Sequence, residues 1–351
     1  MRIKASGVPN PLPPEFMAVA DGNRVLGDQA KYIRISGERR TAKRSKYGAP
    51  AIRRSLRDIG DARVRCLYNF ESFSIEMTML MKLMAFERYA QDEGMDWVRY
   101  QIEEAARRQQ NTRIITTLSA LANGAIYWDG DGNLLPNSSG ANTDFTVDFA
   151  IPATHKNQCN GNIPASWALV NTDIPDAINR LQLFSLDETG MEFTACLYGK
   201  NVSKYIRQNS FCQTFLSRNE TWNGKLTKTN EIPDGLFGLQ WKPMWKSLYE
   251  TDDNGTVANM WPDDLAVFVP NVDQPEKMTW WAMFEGSIPV PKTIDVQRDP
   301  LAAIRGAEIV YGMGSYSAVS LAPLAAEVYH FDVFLPAIRN EKAIFLATVA
   351  F

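Results

Sequence analysis

The sequence predicts an α+β fold. Three observations lead there. A run of helical periodicity from about Asp96 to Ala122 is far longer than an ordinary packing helix. Short strand-like stretches follow it, Phe145–Phe149 with period-two alternation and Leu265–Val269 as a short apolar run. Helices and strands also occur without the repeating βαβ rhythm of a parallel α/β sheet.

In chain order, residues 1–30 hold Pro9, Pro11, Pro13, Pro14, Gly22 and Gly27 and read as an extended arm. Lys31–Ser36 reads as a short strand opening a long hairpin or loop, punctuated by Gly37, Gly48, Pro50 and Gly60. Ile75, Met79, Leu83 and Phe86 recur at helical spacing, with Glu71 and Glu76 placed to favour a helix start. Asp92-Glu-Gly94 is expected to break the chain before the long helix, and Asn123-Gly124 to stop it. Such a helix spans about 40 Å at 1.5 Å per residue.

Ala125–Trp128, a tight turn at Asp129–Asn133 and Phe145–Phe149 form a hairpin pattern. Asp173-Ile-Pro-Asp176 caps an amphipathic helix through Ala177, Ile178 and Leu181. A strand Glu192–Tyr198, a helix Asn201–Arg207, and strands at Leu236–Trp241, Leu248-Tyr249, Leu265–Val269 and Thr279–Phe284 follow. Residues 301–326 are small, apolar and glycine-containing, and fit no element. Glu327–Leu335 and Ala343–Phe351 read as two strands or one bent one, joined by Pro336–Lys342.

The 351 residues, 45% hydrophobic, suffice for a real buried core. No run approaches the ~18 uninterrupted apolar residues of a spanning helix, and the N-terminus lacks the apolar core of a signal peptide, so a soluble, non-secreted protein is expected. Cys66, Cys159, Cys196 and Cys212 form no CxxC pair, which argues against a disulfide framework or zinc cluster. With His155 and His330 the only histidines, imidazole-dependent hydrolases and metalloenzymes are disfavoured.

The net charge of -3 hides an asymmetry. Residues 31–65 carry twelve basic side chains against Glu38, Asp58 and Asp61, or +9. Residues 1–30 are balanced, so the chain from Cys66 onward carries -12. Three readings stand open: a solvated loop, a nucleic-acid contact, or a contact with the acidic body of another copy. Tyr32 and Tyr47 are the only aromatics between Tyr32 and Ala51, too few for a base-stacking platform.

The remaining motifs point to structure. Asp129-Gly-Asp-Gly-Asn133 opens like a calcium loop but places Gly140 where the twelfth-position Glu belongs. Gly312-Met-Gly-Ser315 lacks the GK[ST] of a phosphate loop. Asp252-Asp-Asn-Gly255 reads as a turn, and both histidines read as structural. Glycosylation tripeptides at Asn137, Asn201, Asn219 and Asn254 mean nothing without secretion. Trp280-Trp281 reads as core packing or an interface. No catalytic constellation remains.

The order of these parts, with Ile102-Glu-Glu-Ala, Leu118–Gly124, Ala125–Gly130, Thr146–Phe149, Met260–Phe268 and Glu327–Phe351, resembles the tailed-phage major capsid protein of the Hong Kong 97-type fold, and within it the lambda-like family. The resemblance implies an N-terminal arm (1–30), an extended loop (31–70), a peripheral domain with spine helix and β-sheet (71–172), an axial domain (173–320) and peripheral return strands (321–351). It implies a non-enzymatic subunit without cofactor or metal, forming hexamers and pentamers of an icosahedral head shell around packaged double-stranded DNA. Its partners would be other copies, with portal, scaffold and cement or decoration proteins; DNA contact would be weak and non-specific, and no membrane is involved. The protein would be a virion component assembled in the host cytoplasm. The extended loop would lie across a neighbouring subunit, with Arg39, Arg40, Lys43, Arg44, Arg53, Arg54 and Arg57 as inter-subunit contacts. The alternatives are a basic-loop DNA-binding virion or chromosome-associated protein and a carbohydrate-active enzyme.

Overall fold

The computed structural model describes residues 10–34, 60–75, 77–83, 88–130, 132–136, 143–218, 220–246, 248–250, 257–270, 272, 278–290, 308–321 and 324–351. Its class is α+β, as the sequence predicts. In chain order, β1 (Gln29–Arg34) and β2 (Gly60–Arg65) pair as an antiparallel hairpin, with Arg34 opposite Gly60. Strand β3 (Leu67–Ile75) leads through α1 (Met77–Leu83) into α2 (Arg88–Asn123). A hairpin sheet follows from β4 (Ala125–Asp129), β5 (Leu134–Leu135) and β6 (Thr143–Asp148).

Next come β7 (Lys156–Asn157), α3 (Ile174–Glu188), β8 (Ala195–Tyr198), α4 (Lys200–Gln208), α5 (Ser210–Leu216), α6 (Glu220–Thr229) and β9 (Gln240–Pro243). Strands β10 (Leu248–Glu250) and β11 (Val257–Asn259) form a small hairpin. The chain continues through β12 (Leu265–Val269), β13 (Trp281–Glu285), β14 (Ser287–Val290), β15 (Glu308–Tyr311), β16 (Met313–Leu321), β17 (Leu324–Ile338) and β18 (Phe345–Thr348).

Two sheets organise the molecule. The first is a ribbon centred on β17, with β3 along one side and β16 then β13 along the other. The second runs β7-β18-β12-β8-β9. Its strands alternate between two buried faces. Ala195, Leu197, Val267 and Leu346 enter the core shared with the C-terminal turns of α2, while Cys196, Tyr198, Phe268, Phe345 and Ala347 meet the helices α3 to α6. Burial on both faces explains why Leu265–Val269 is apolar throughout.

Helix α2, 36 residues and about 54 Å at 1.5 Å per residue, starts earlier than the sequence suggests. Gly94 does not break it, because an interior glycine costs only about 1 kcal/mol and this one is buried. The helix stops where expected, with Gly124 at φ 66°. A Cβ there would fall 2.4 Å from Ile151 Cδ1, so both conformation and space demand glycine.

Three other expectations need correction. Glu71 and Ile75 belong to β3, not to a helix; tertiary pairing with β17 overrides the helical spacing. Leu236–Gly238 is a 3-10 turn, and the strand begins at Gln240. Of the two readings of the C-terminus, the two-strand one holds: β17 lies in the ribbon, and β18 pairs with β12 in the second sheet. The described part of the arm, residues 10–28, is not simply extended but folds into short 3-10 turns and packs on its own body. Phe16 is fully buried against Trp280 and Trp281, with centroids at 5.8 and 5.4 Å, and Trp281 Nε1 donates to its carbonyl at 3.0 Å.

Residues 301–326, unassigned from sequence, supply β15 and β16 from Glu308 onward. Pro336 sits inside β17 because of register. Val333 and Arg339 turn their N–H groups toward the β16 and β13 side, so position 336 faces the other side, beyond the last β3 pair at Phe334↔Leu67.

Candidate inter-subunit surfaces and the clamp behind them

The long helix and the ribbon are joined by a polar clamp. Arg113 lies on the buried side of α2 and donates to both Asp332 oxygens of β17, from Nε at 2.7 Å and from Nη2 at 2.5 Å. Its Nη1 reaches Glu285 of β13 at 3.1 Å, and Arg24 of the arm approaches the other Glu285 oxygen at 3.8 Å. One guanidinium thus fixes two strands, and the arm closes over the second. Burial alone would pull the Arg113 guanidinium down, but the paired carboxylates more than offset it and hold it above its ordinary value. Gly312 permits this approach: a Cβ there would sit 2.4 Å from Glu285 Oε1.

On the ribbon face turned away from α2, Tyr68, Phe70, Tyr329 and Tyr316 stack in sequence across β3, β17 and β16, with centroids 5.7, 5.5 and 5.0 Å apart. Tyr68 and Phe70 are 55% and 45% exposed, unusual for stacked aromatics. Tyr329 Oη donates to Glu327. The opposite face is buried: His330 stacks on Phe73 at 5.7 Å, and Phe73 meets Trp97 of α2.

The hairpin β1/β2 is anchored at its base by Tyr32 stacked on Phe284 at 5.7 Å. The basic residues singled out in the sequence, Arg39, Arg40, Lys43, Arg44, Arg53, Arg54 and Arg57, lie between its strands and outside the described residues. Asp252–Gly255 also lies outside them.

The other motifs resolve as packing and turns. Asp129 accepts from Asn133 N at 2.7 Å and Nδ2 at 3.1 Å, a side-chain-closed turn. Gly312 joins β15 to β16, a strand-to-strand setting unlike a phosphate loop. His155 stacks on Phe345 at 4.0 Å and pairs through Nδ1 with the Ile344 carbonyl. All four cysteines are buried and free, and burial pushes the Cys159 thiol up to about 12. Among the described residues no group of His, Cys, Asp and Glu could hold a metal, and no helix is long and apolar enough to cross a membrane. Neither of two open depressions, of about 610 and 300 Å³, is lined by a pair of carboxylates.

The sequence missed both the clamp and the aromatic ladder. Arg113 looks like any cation of an amphipathic helix, and its partners lie 172 and 219 residues away. The Tyr68/Phe70 alternation was a readable strand pattern.

An anchored hairpin, a spanning helix and a sheet face partly left uncovered suit a building unit of a larger assembly. The chain belongs to the family of phage major capsid protein E, whose model matches residues 21–284. It is a structural subunit of an icosahedral phage head shell. No curated protein matches the chain. Among solved structures, a protein of the E. coli CFT073 prophage is 14% identical, with 83% of this chain and 80% of that one covered and a TM-score of 0.49. A phage-related protein from Bordetella bronchiseptica RB50 is 11% identical over 99% of both chains, with a TM-score of 0.49. A chain of the bacteriophage PhiM1 mature capsid is 13% identical, covering 93% of this chain and 86% of its own, with a TM-score of 0.43. The assignment rests on the family match. Neither the DNA-binding nor the carbohydrate-active alternative finds support.

Proposed function

We propose that copies of this chain assemble into hexamers and pentamers held together by the basic chain between β1 and β2 of one copy lying on the acidic body of the next. The observation carrying this reading is the charge division, +9 on residues 31–65 against -12 from Cys66 onward. Opposite fields steer copies together and set register, and many modest contacts repeated by symmetry hold a closed shell. Arg39, Arg40, Lys43, Arg44, Arg53, Arg54 and Arg57 make the contact. The subunit is not an enzyme and uses no cofactor. Its acidic body faces packaged double-stranded DNA with weak, non-specific contact. Assembly takes place in the host cytoplasm with portal, scaffold and cement or decoration proteins as further partners.

Reversing two of these charges tests the reading. Arg53→Glu with Arg54→Glu should abolish shells while leaving folded monomers or capsomers, seen by negative-stain microscopy and sedimentation. Shells of normal form and yield from that variant would refute it.

A further inference from the structure

The helical layer over the second sheet carries a charge gradient across its width. At one end, α3 lies over β18: Phe184 packs edge-on against Phe345 and His155, both at 5.7 Å. Next comes α5, which packs against α3, α4 and α6. The segment after α6 reaches the β8/β9 end, where Ile232 N donates to Tyr198 Oη and Trp241 N to Asp234. Residues 173–192, at the first end, hold five acidic side chains and one basic. Residues 200–228, toward the other, hold six basic and one acidic.

Helices α5 and α3 each also expose apolar side chains. Phe211 and Phe215, one turn apart on α5, are 43% and 45% exposed, and the Leu169-Val170 loop is held beside them by Ser210 N donating to the Val170 carbonyl at 2.9 Å. Phe215 meets Phe237 edge-on at 5.6 Å. Phe237 is held at φ 56°, a left-handed conformation that side-chain-bearing residues rarely adopt. Exposed Arg207 and Arg218 flank this patch, and neither has an ion-pair partner among the described residues. On α3, Leu183 is 55% exposed, one turn before exposed Asp187, with exposed Glu192 beyond. Lys342 takes up Glu188 at 3.2 Å, and Arg180 takes up Asp176. Asp187 and Glu192 have no ion-pair partner among the described residues.

We infer that this layer is a two-sided connector: the Phe211–Phe215 patch with its Arg207/Arg218 rim receives the Leu183 ridge with its Asp187/Glu192 rim on a second copy. The two surfaces differ, so the contact is head-to-tail and closes a ring when its rotation permits. Apolar centres with oppositely charged rims are the arrangement that gives both adhesion and register. The inference rests on the shell reading above and adds a second contact, independent of residues 31–70.

A charge swap tests it in the full chain. Arg207→Glu with Arg218→Glu, and separately Asp187→Lys with Glu192→Lys, should each lower the assembled fraction about tenfold or more. Thermal unfolding should stay near wild type, because all four side chains are exposed. Combining the four changes in one chain should restore assembly, since each reversed rim again meets its opposite. Phe215→Ser and Leu183→Ser remove the apolar centres without touching charge and should also weaken assembly, giving a second route if a rim variant fails to fold. Wild-type shells together with normal shells from either rim variant would overturn the connector alone, as would failure of the four-fold swap to recover. A wild-type chain that forms no shells would instead overturn the shell reading itself.

Discussion

The two sheets of this subunit solve the same burial problem in opposite ways. The five-stranded sheet is covered on both faces, by helices on one and the shared core on the other, and its strands β8 and β12 are buried at every position. The β17 ribbon is buried on both faces along β13 and from His330 to Ile338, and only toward β3 and β16 does its face away from α2 carry the stacked Tyr68, Phe70, Tyr329 and Tyr316, the first two half-exposed. Both contribute to one apolar core, and the ribbon adds to it an ionic clamp and an uncovered aromatic stretch. The difference is that between a sheet covered throughout and a sheet that leaves one aromatic stretch uncovered in the single subunit.

Breaking the clamp should produce the largest effect. Arg113→Ala strands Asp332, whose side chain is fully buried, and a buried charge that loses its partner costs about 3–5 kcal/mol. Phe268→Ala in the second sheet should cost a similar ~3–5 kcal/mol through its cavity. The two losses should differ in kind. Replacing Arg113 and Asp332 together by apolar residues should recover much of the first loss in urea unfolding, whereas no polar rescue exists for the second.

The ladder should sharpen the contrast. Phe70→Ala removes stacking worth about 0.5–1.5 kcal/mol, so the isolated subunit should unfold within a few degrees of wild type. A large drop in subunit stability would show that the face is already complete without neighbours.

The smallest expected effect is on pH dependence. Burial is the main cause holding both His155 and His330 below 6.5; around His330, Glu71 pulls up and Arg108 pushes down. The folded state therefore favours the neutral rings. As pH falls below 6.5 the unfolded chain takes up protons that the folded chain refuses, so stability present above that pH is lost on acidification. His155→Gln and His330→Gln should each flatten this slope between pH 7 and 5 in equilibrium unfolding.

What the sequence made legible were local features with local causes. Asp173 accepts from Asp176 N at 3.0 Å and starts α3 as its spacing implies, and the β4–β6 hairpin follows from alternation and turn residues. What it hid depended on partners far along the chain. Ile75 keeps helical spacing with Met79 and Leu83 yet pairs with Ala326 across the ribbon. The small residues of β16 become a strand because β17 runs beside them, from Met313↔Asp332 to Leu321↔Leu324. The Arg113 clamp joins residues 219 apart. The charge division was legible at once, being a property of composition rather than of contacts.

The most direct measurement is electron microscopy of the purified full-length chain concentrated at low salt, beside the Arg53→Glu, Arg54→Glu variant. The account predicts closed shells whose wall is built from hexamers and pentamers of the wild-type chain, and folded, unassembled subunits from the variant. A wild-type chain that remains a folded monomer under every assembly condition, or a variant that builds the same shell, would contradict it.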